Sequence, residues 1–219
     1  MNLKTSFDFL LELQFNNNRQ WFQNNEEFYK KAKTEFEDFT AELIAGLGKF
    51  DSEIGDFSPK DCTFRIYRDV RFSKDKEPYK NNMGAFIVKG GKKSPFAGYY
   101  VHLEPGGSFV GGGVYMPEKS VLDAIRNEIY SNPETFKIIL NQKEFCSYFN
   151  EIYGEKLKTA PKGFPKDFAD IELLKHKHYA LAHSLGDDFW TNENPSAEIL
   201  KVFRAMKDFN DYFNGIINR

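Results

Sequence analysis

The chain has 219 residues, of which 41% are hydrophobic and 28% charged, and a formal net charge of −2. This composition is typical of a globular protein and excludes a chain that is disordered throughout. No apolar run is long enough to predict a membrane span, and a pI near 6.1 argues against a general nucleic-acid-binding protein. The first residues lack a signal-peptide pattern and only Cys62 and Cys146 are present, so we expect a cytoplasmic protein with reduced thiols.

Residues 5–48 are predicted to form helices. Thr5 and Asp8 fit a capping box at the start of a short helix, which the asparagines at 16–18 end. Asn24 and Glu27 fit the start of a longer helix that closes at Gly46. Its apolar residues recur every three or four positions, at Phe28, Ala32, Phe36, Phe39, Leu43 and Leu47.

Residues 62–115 change to a period of two, which predicts strands. Residues 63–68 alternate apolar and polar side chains, residues 85–88 form a second apolar run, and residues 99–104 and 109–115 flank a Pro-Gly-Gly turn. Because the linking segments are short, we expect the strands to pair in an antiparallel sheet.

Helices are predicted again over residues 117–217. Pro117, Pro133 and Pro195 each stand where a helix begins, and the last of these helices is predicted to run unbroken to the C-terminus. The order of elements predicts an α+β fold, with an antiparallel sheet of at least four strands packed by helices from the N- and C-terminal parts. We expect a single domain over residues 1–219.

Charge is distributed unevenly along the chain. Residues 60–93 contain ten basic and four acidic side chains, whereas the remainder has 20 basic and 28 acidic ones. Within this basic stretch, residues 65–80 hold the densest cluster of polar groups. The candidate ligand-binding residues there are Arg65, Arg68, Asp69, Arg71, Ser73, Lys74, Asp75, Lys76, Tyr79 and Lys80.

This cluster predicts a pocket for a small molecule bearing phosphate or carboxylate. Guanidinium groups bind such anions through two parallel hydrogen bonds, and here the arginines and lysines are the charge partners. In this interpretation Asp69 and Asp75 orient the basic side chains, while Ser73 and Tyr79 add hydrogen bonds. Two alternatives stay open: a structural ion-pair network, and a non-catalytic module that docks an acidic protein or a nucleic-acid backbone.

A second candidate group is formed by Tyr100, His102 and Glu104. Because strand side chains alternate, these three residues share one face of the predicted sheet, where a histidine supported by a carboxylate suits acid–base chemistry. Whether this face also carries Arg65 is left open by the sequence. No metal site or cofactor is predicted, no residue is assigned as catalytic, and the sequence identifies neither a reaction nor an oligomeric state.

The chain resembles a bacterial family of conserved hypothetical proteins, domain of unknown function 2461. The resemblance rests on Phe7-x-Phe9-Leu10, Asn17-x-Arg19-x-Trp21-Phe22, the run over residues 64–80, the aromatic and glycine-rich hairpin, and Pro161-Lys162-Gly163-Phe164. It covers roughly residues 5–215 and implies a compact single-domain protein in which residues 65–80 are the hallmark. The resemblance implies no activity.

Overall fold

A computed structural model describes residues 2–55 and 57–219. These residues form ten α-helices, one 3₁₀ helix and a four-stranded antiparallel sheet, which confirms the predicted α+β fold with helices from both ends of the chain. The strands are β1 (Met83–Ile87), β2 (Gly98–Leu103), β3 (Phe109–Val114) and β4 (Tyr179–Ser184), and they lie side by side in chain order. The helices are α1 (Lys4–Phe15), α2 (Arg19–Asn24), α3 (Glu26–Leu47), α4 (Pro59–Cys62), α5 (Lys119–Ser131), α6 (Pro133–Leu140), α7 (Lys143–Tyr148), α8 (Ile171–Leu174), α9 (Pro195–Ala205) and α10 (Lys207–Ile217), with the 3₁₀ helix at Asp187–Thr191. The expectation of a single domain stays a prediction.

One face of the sheet forms part of the hydrophobic core. Val101 lies opposite Ala85 on β1 and Val110 on β3, and all three side chains are fully buried. Burying one such aliphatic side chain stabilises the fold by roughly 1.5–3 kcal/mol. The C-terminal helices pack on this face, where the ring of Phe203 lies 5.1 Å from that of Tyr99. The predicted hairpin is therefore confirmed, and the side chains of β2 from Tyr99 to Leu103 alternate between the two faces.

The opposite face of the sheet is more open. It carries Phe86, Tyr100, His102 and Phe109, each only partly buried. The register places Phe86 opposite Tyr100 and His102 opposite Phe109, so the four side chains form one polar and aromatic patch. This face bears the second candidate group.

Two predictions about the sheet are wrong. Residues 63–68 form no strand, because a bend at Ile66 interrupts the alternation: Ile66 is buried, whereas Phe64 is 42% exposed. The backbone of this segment pairs with β1 at the Thr63–Ala85 bridge and through a hydrogen bond from Phe64 N to the Gly84 carbonyl. The fourth strand is β4 instead, which the sequence analysis missed because its partner β3 is more than 60 residues away and no turn joins them.

Two helix starts also differ from the prediction. Thr5 lies inside α1, whose N-cap is Leu3, so the capping box is absent; Ser6 N and Oγ donate to Glu35 of α3 instead. Asn24 is the last residue of α2, a helix the sequence analysis did not separate from α3. The amphipathic stripe of α3 is confirmed, since its apolar residues from Ala32 to Leu47 are buried.

The proline-initiated helices follow the sequence pattern closely. Pro133 and Pro195 occupy the first helical position of α6 and α9, where a missing N–H costs nothing. The helix predicted at Pro117 begins two residues later, at Lys119. The predicted C-terminal helix is divided into α9 and α10 at Met206.

Candidate functional site

Residues 68–77 form a surface loop that is closed by its own ion pairs. Arg68 Nη1 lies 2.5 Å from Asp75 Oδ2 and 3.9 Å from Glu77 Oε2. Arg71 binds the carboxylate of Asp69 through two nitrogens, at 2.9 and 2.6 Å. The Arg71 hydrogen bonds lower the pKa of Asp69, and the Glu77 N–H together with Arg68 lowers the pKa of Asp75. Four of the candidate residues therefore neutralise one another.

The remaining side chains of this loop point toward solvent or back to the chain. Lys76 Nζ donates to the Val70 carbonyl at 3.1 Å, Lys74 is exposed, and Ser73 is half-buried. Phe72, at the tip, is 96% exposed, with the Arg71 guanidinium 5.9 Å from its ring centre. The loop thus presents one aromatic ring among basic groups.

Tyr79 lies in the core rather than on the surface of the loop. Its ring stacks on Phe22 of α2 with centroids 3.9 Å apart, and only 6% of the residue is exposed. Asn17 holds the backbone on either side of that ring, because it accepts from Tyr79 N at 3.2 Å and donates to the Tyr79 carbonyl at 3.0 Å. Tyr79 therefore anchors the end of the segment, beneath the groups that face solvent.

An open cleft of about 400 Å³ lies between α3 and residues 60–67. Its lining comprises Tyr29, Lys33, Phe36, Glu37, Lys60, Thr63, Phe64, Arg65, Ile66, Tyr67, Met83 and Lys92. Among the ten candidate residues of the 65–80 segment, Arg65 is the one in this lining. The predicted cluster is therefore divided in the structure. Residues 68–77 form a loop held by its own ion pairs, whereas Arg65 lines the cleft.

Arg65 differs from its neighbours because it has no ion-pair partner in the described part of the chain. Lys33, across the cleft, is paired with Glu37 at 2.9 Å. Lys92 Nζ donates to the carbonyls of Lys60 and Thr63 at 2.9 and 2.7 Å, so its hydrogen-bond partners beside the cleft are carbonyl groups and not carboxylates. The cleft therefore contains the positive charge of Arg65, which pairs with no carboxylate of the described residues and acts only at longer range on Asp69.

Phe64 connects the cleft with the open face of the sheet. The ammonium groups of Lys80 and Lys92 lie 5.7 and 5.9 Å from its ring centre, and the ring of Tyr100 lies 6.4 Å away. Burial and the charge of Arg65 lower the pKa of Lys80. Lys80 is therefore part of the same positive region as Arg65, on the side of Phe64 that leads to Tyr100.

Tyr100, His102 and Glu104 form a continuous hydrogen-bonded chain. The Tyr100 hydroxyl lies 3.0 Å from His102 Nδ1, and His102 Nε2 lies 2.8 Å from Glu104 Oε2. Asn82 Nδ2 also approaches His102 Nδ1, at 3.2 Å. Burial is the main cause that raises the pKa of Tyr100 to about 12. The structure thus brings together all three residues of the second candidate group and adds Asn82.

Several residues of the cleft were missed by the sequence analysis. On α3, every fourth residue from Tyr29 through Lys33 to Glu37 lies on one stripe, next to the stripe of buried apolar residues. This four-residue spacing could have indicated that the three side chains share one side of the helix. Lys60 and Lys92 belong to the basic stretch noted in the sequence, but residues 65–80 do not include them. Nothing in the sequence pattern indicated Asn82.

The fold and site define an α+β protein with a positively charged cleft beside a tyrosine–histidine–glutamate chain on an antiparallel sheet. The chain belongs to the family described as conserved hypothetical protein (DUF2461), whose model matches residues 5–212. No curated protein and no solved structure matches the chain. Among the helices of residues 2–55 and 57–219, none is both long and apolar enough to cross a membrane.

Proposed function

We propose that the cleft between α3 and residues 60–67 binds an anionic small molecule through Arg65. The observation that carries this proposal is the contrast among three neighbouring arginines: Arg68 and Arg71 are paired with carboxylates, whereas Arg65 has no such partner among the described residues. The one carboxylate in the cleft lining, Glu37, is paired with Lys33, so the Arg65 guanidinium is available to a phosphate or carboxylate from solution.

The walls of the cleft favour a ligand with a planar or apolar part beside the anionic group. Tyr29, Phe64 and Tyr67 present aromatic rings there, and the volume of about 400 Å³ lies within the range of roughly 300–1,000 Å³ that is usual for small-molecule sites. Burial raises the pKa of Tyr29 to about 12, so its hydroxyl keeps its proton and can donate to an anion. A phosphorylated or carboxylated aromatic metabolite meets both requirements.

The other candidate residues of the segment have supporting roles in this proposal. Lys80 adds charge next to Phe64, and Arg68, Asp69, Arg71 and Asp75 hold the adjoining loop in shape through their ion pairs. Lys74 and Lys76 add positive charge to the adjoining loop, and neither they nor Ser73 line the cleft. Tyr79 anchors the end of the segment by stacking on Phe22.

A titration with adenosine monophosphate and with inorganic pyrophosphate tests the anion site. At 100 times its dissociation constant, a ligand adds about 2.7 kcal/mol to the free energy of unfolding, which a thermal shift detects. Arg65→Gln should weaken binding by about 10- to 100-fold, because a hydrogen bond to a charged group contributes about 1.5–3 kcal/mol. Calorimetric titration gives the two dissociation constants directly.

Lys74→Gln is the matched control, since it removes one positive charge from the same segment and Lys74 is exposed outside the cleft lining. We expect this variant to bind both probes with nearly the affinity of the wild type. Equal losses in Arg65→Gln and Lys74→Gln would indicate a diffuse electrostatic effect and overturn the proposed cleft.

The alternative function, docking of a nucleic-acid backbone or an acidic protein surface, is favoured by a different observation. Phe72 is 96% exposed at the tip of a loop that also carries Arg71 and Lys74, and an aromatic ring among cations suits a stacked base. In that case affinity for an oligothymidylate falls by about one log unit per log of salt for each phosphate neutralised. Phe72→Ala and Arg71→Gln should then reduce binding, while Arg65→Gln should not.

We also propose that the protein works in the bacterial cytoplasm. Cys62 and Cys146 are both free, and burial raises the pKa of the Cys62 thiol to about 11, which keeps that thiol unreactive. Free thiols are usual in a reducing compartment. Fractionation of cells that express the tagged chain tests this location, and recovery in the periplasm would contradict it.

A further inference from the structure

The hydrogen bonds of the tyrosine–histidine–glutamate chain set a direction for proton movement. Asn82 Nδ2 can only donate, so His102 Nδ1 is the acceptor and the ring proton resides on Nε2, 2.8 Å from Glu104 Oε2. The Tyr100 hydroxyl donates to the same Nδ1 lone pair at 3.0 Å, so Nδ1 takes the tyrosine proton when the longer Asn82 contact, at 3.2 Å, opens. A proton that leaves Tyr100 consequently arrives on an imidazole whose positive charge the Glu104 carboxylate stabilises.

The surroundings keep these groups in place. The imidazole of His102 stacks on Phe109 with ring centroids 4.7 Å apart and planes 20° from parallel. Gly84 leaves room for the hydroxyl, because a Cβ there would lie 2.8 Å from Tyr100 Oη. Gly107 leaves room for the Glu104 carboxylate, because a Cβ at Gly107 would lie 3.3 Å from Glu104 Oε2. Two glycines and one aromatic ring thus shape the space around the hydrogen-bonded chain.

We propose that Tyr100 is a nucleophile for acyl transfer, with His102 as its general base and Glu104 as a positioning residue. The substrate class is a carboxylic ester or thioester that carries an anionic group, and this anionic part of the inference rests on the proposed function of the cleft. The arrangement is that of a hydroxyl nucleophile, a histidine base and an orienting carboxylate.

The proposed reaction balances without any further reactant except water. Tyr100 Oη attacks the acyl carbon while its proton passes to His102 Nδ1, and the bond to the leaving group breaks as that group takes the proton from Nδ1. A water molecule then attacks the acyl-tyrosine, gives one proton to His102 and releases the carboxylic acid. Tyr100 recovers its proton from His102. Because the pKa of Tyr100 is about 12, the hydroxyl needs this base to react at neutral pH.

Sulfonyl fluorides test the nucleophile without knowledge of the natural substrate. Phenylmethanesulfonyl fluoride forms a sulfur–oxygen bond to an activated tyrosine, and fluoride leaves with the proton. We expect peptide mapping to find Tyr100 labelled far faster than Tyr153, a tyrosine that is 52% exposed and serves as internal reference. His102→Gln should slow the labelling of Tyr100 by about 100-fold or more, the usual contribution of a general base.

Conservative variants separate positioning from folding. Glu104→Gln keeps a hydrogen-bond acceptor for His102 Nε2 but removes the charge, so we expect slower labelling with an unchanged thermal midpoint, and recovery in Glu104→Asp. Tyr100→Phe retains the ring contacts with Phe64 and Phe109 and should remove the label. Labelling of Tyr100 no faster than that of Tyr153, or at an unchanged rate in folded His102→Gln or Glu104→Gln, would overturn the proposal.

A second probe distinguishes this inference from the anion site. 4-(Fluorosulfonyl)benzoate carries a carboxylate, so Arg65 should give it an advantage over the neutral probe that Arg65→Gln abolishes. If the neutral probe labels Tyr100 but the carboxylate gives no advantage, the nucleophile stands and its proposed link to the anion site at Arg65 fails. If anions bind at Arg65 but neither probe labels Tyr100, the anion site stands and the nucleophile fails.

Discussion

The Tyr99 hydroxyl donates a 2.6 Å hydrogen bond to Asp51 Oδ2, and both residues are almost completely buried. The contact joins β2 to the segment that follows α3. Burial together with Asp51 raises the pKa of Tyr99 well above its usual range, so the hydroxyl is a permanent donor. This hydrogen bond connects the buried face of the sheet to the segment that follows α3, the helix that lines the cleft.

Tyr99→Phe is expected to lower the free energy of unfolding by about 1.5–3 kcal/mol. The variant keeps the ring contact with Phe203 but leaves the buried Asp51 carboxylate without this donor, and hydrogen bonds to charged groups contribute that much. Urea denaturation measures the loss. Asp51→Ala is the companion variant: Tyr99→Phe should cost little in that background, and an equal loss in both backgrounds would contradict the argument.

The glycines of β3 give a prediction about backbone packing. A Cβ at Gly111 would lie 1.9 Å from the Leu181 carbonyl oxygen of β4, a contact with backbone that cannot move aside. Gly111→Ala should therefore lower the free energy of unfolding by about 3 kcal/mol or more, which is at or above the roughly 1–3 kcal/mol that overpacking of a core usually costs. Gly215→Ala is the control: nothing lies within 4 Å of its Cβ position in α10, so a gain of about 0.5–1 kcal/mol is expected. Thermal melts of the two variants should shift in opposite directions.

His176 makes stability depend on pH. Burial lowers its pKa from 6.5 to about 4, with a smaller effect from Lys156 and an opposing one from Glu172. Between these values the unfolded chain binds a proton that the folded protein excludes. The free energy of unfolding should therefore fall as the pH drops from about 6.5 to 4, by on the order of 3 kcal/mol.

Urea denaturation at several pH values measures this dependence. His176→Leu should flatten the pH dependence over that range, whatever its effect on stability at pH 7. An equal slope in wild type and His176→Leu would show that other groups cause the acid sensitivity.

Loop closure by Arg68 and Asp75 predicts a change in proteolysis. Their ion pair spans seven residues, whereas the Asp69–Arg71 pair spans only two. Asp75→Asn should therefore loosen the loop and accelerate chymotrypsin cleavage after the exposed Phe72, while Asp69→Asn should leave the rate nearly unchanged. Equal rates in both variants would mean that the longer ion pair does not hold the loop.

Local sequence patterns determined much of the fold. The apolar stripe of α3, the prolines at the first positions of α6 and α9, and the alternation of β2 are all local signals, and the structure confirms each of them. Such features depend on residues a few positions apart, and for that reason they can be read without knowledge of the tertiary contacts. The α+β class followed from the order of these elements.

Only the tertiary structure decided which predicted site residues meet. The charge of residues 65–80 was evident in the sequence, but a bend at Ile66 and the stacking of Tyr79 on Phe22 turn most of that segment away from the cleft. Arg65 instead faces Tyr29 and Lys33 of α3. Contacts between residues more than 30 positions apart depend on how elements pack, and periodicity within one element carries no information about that packing.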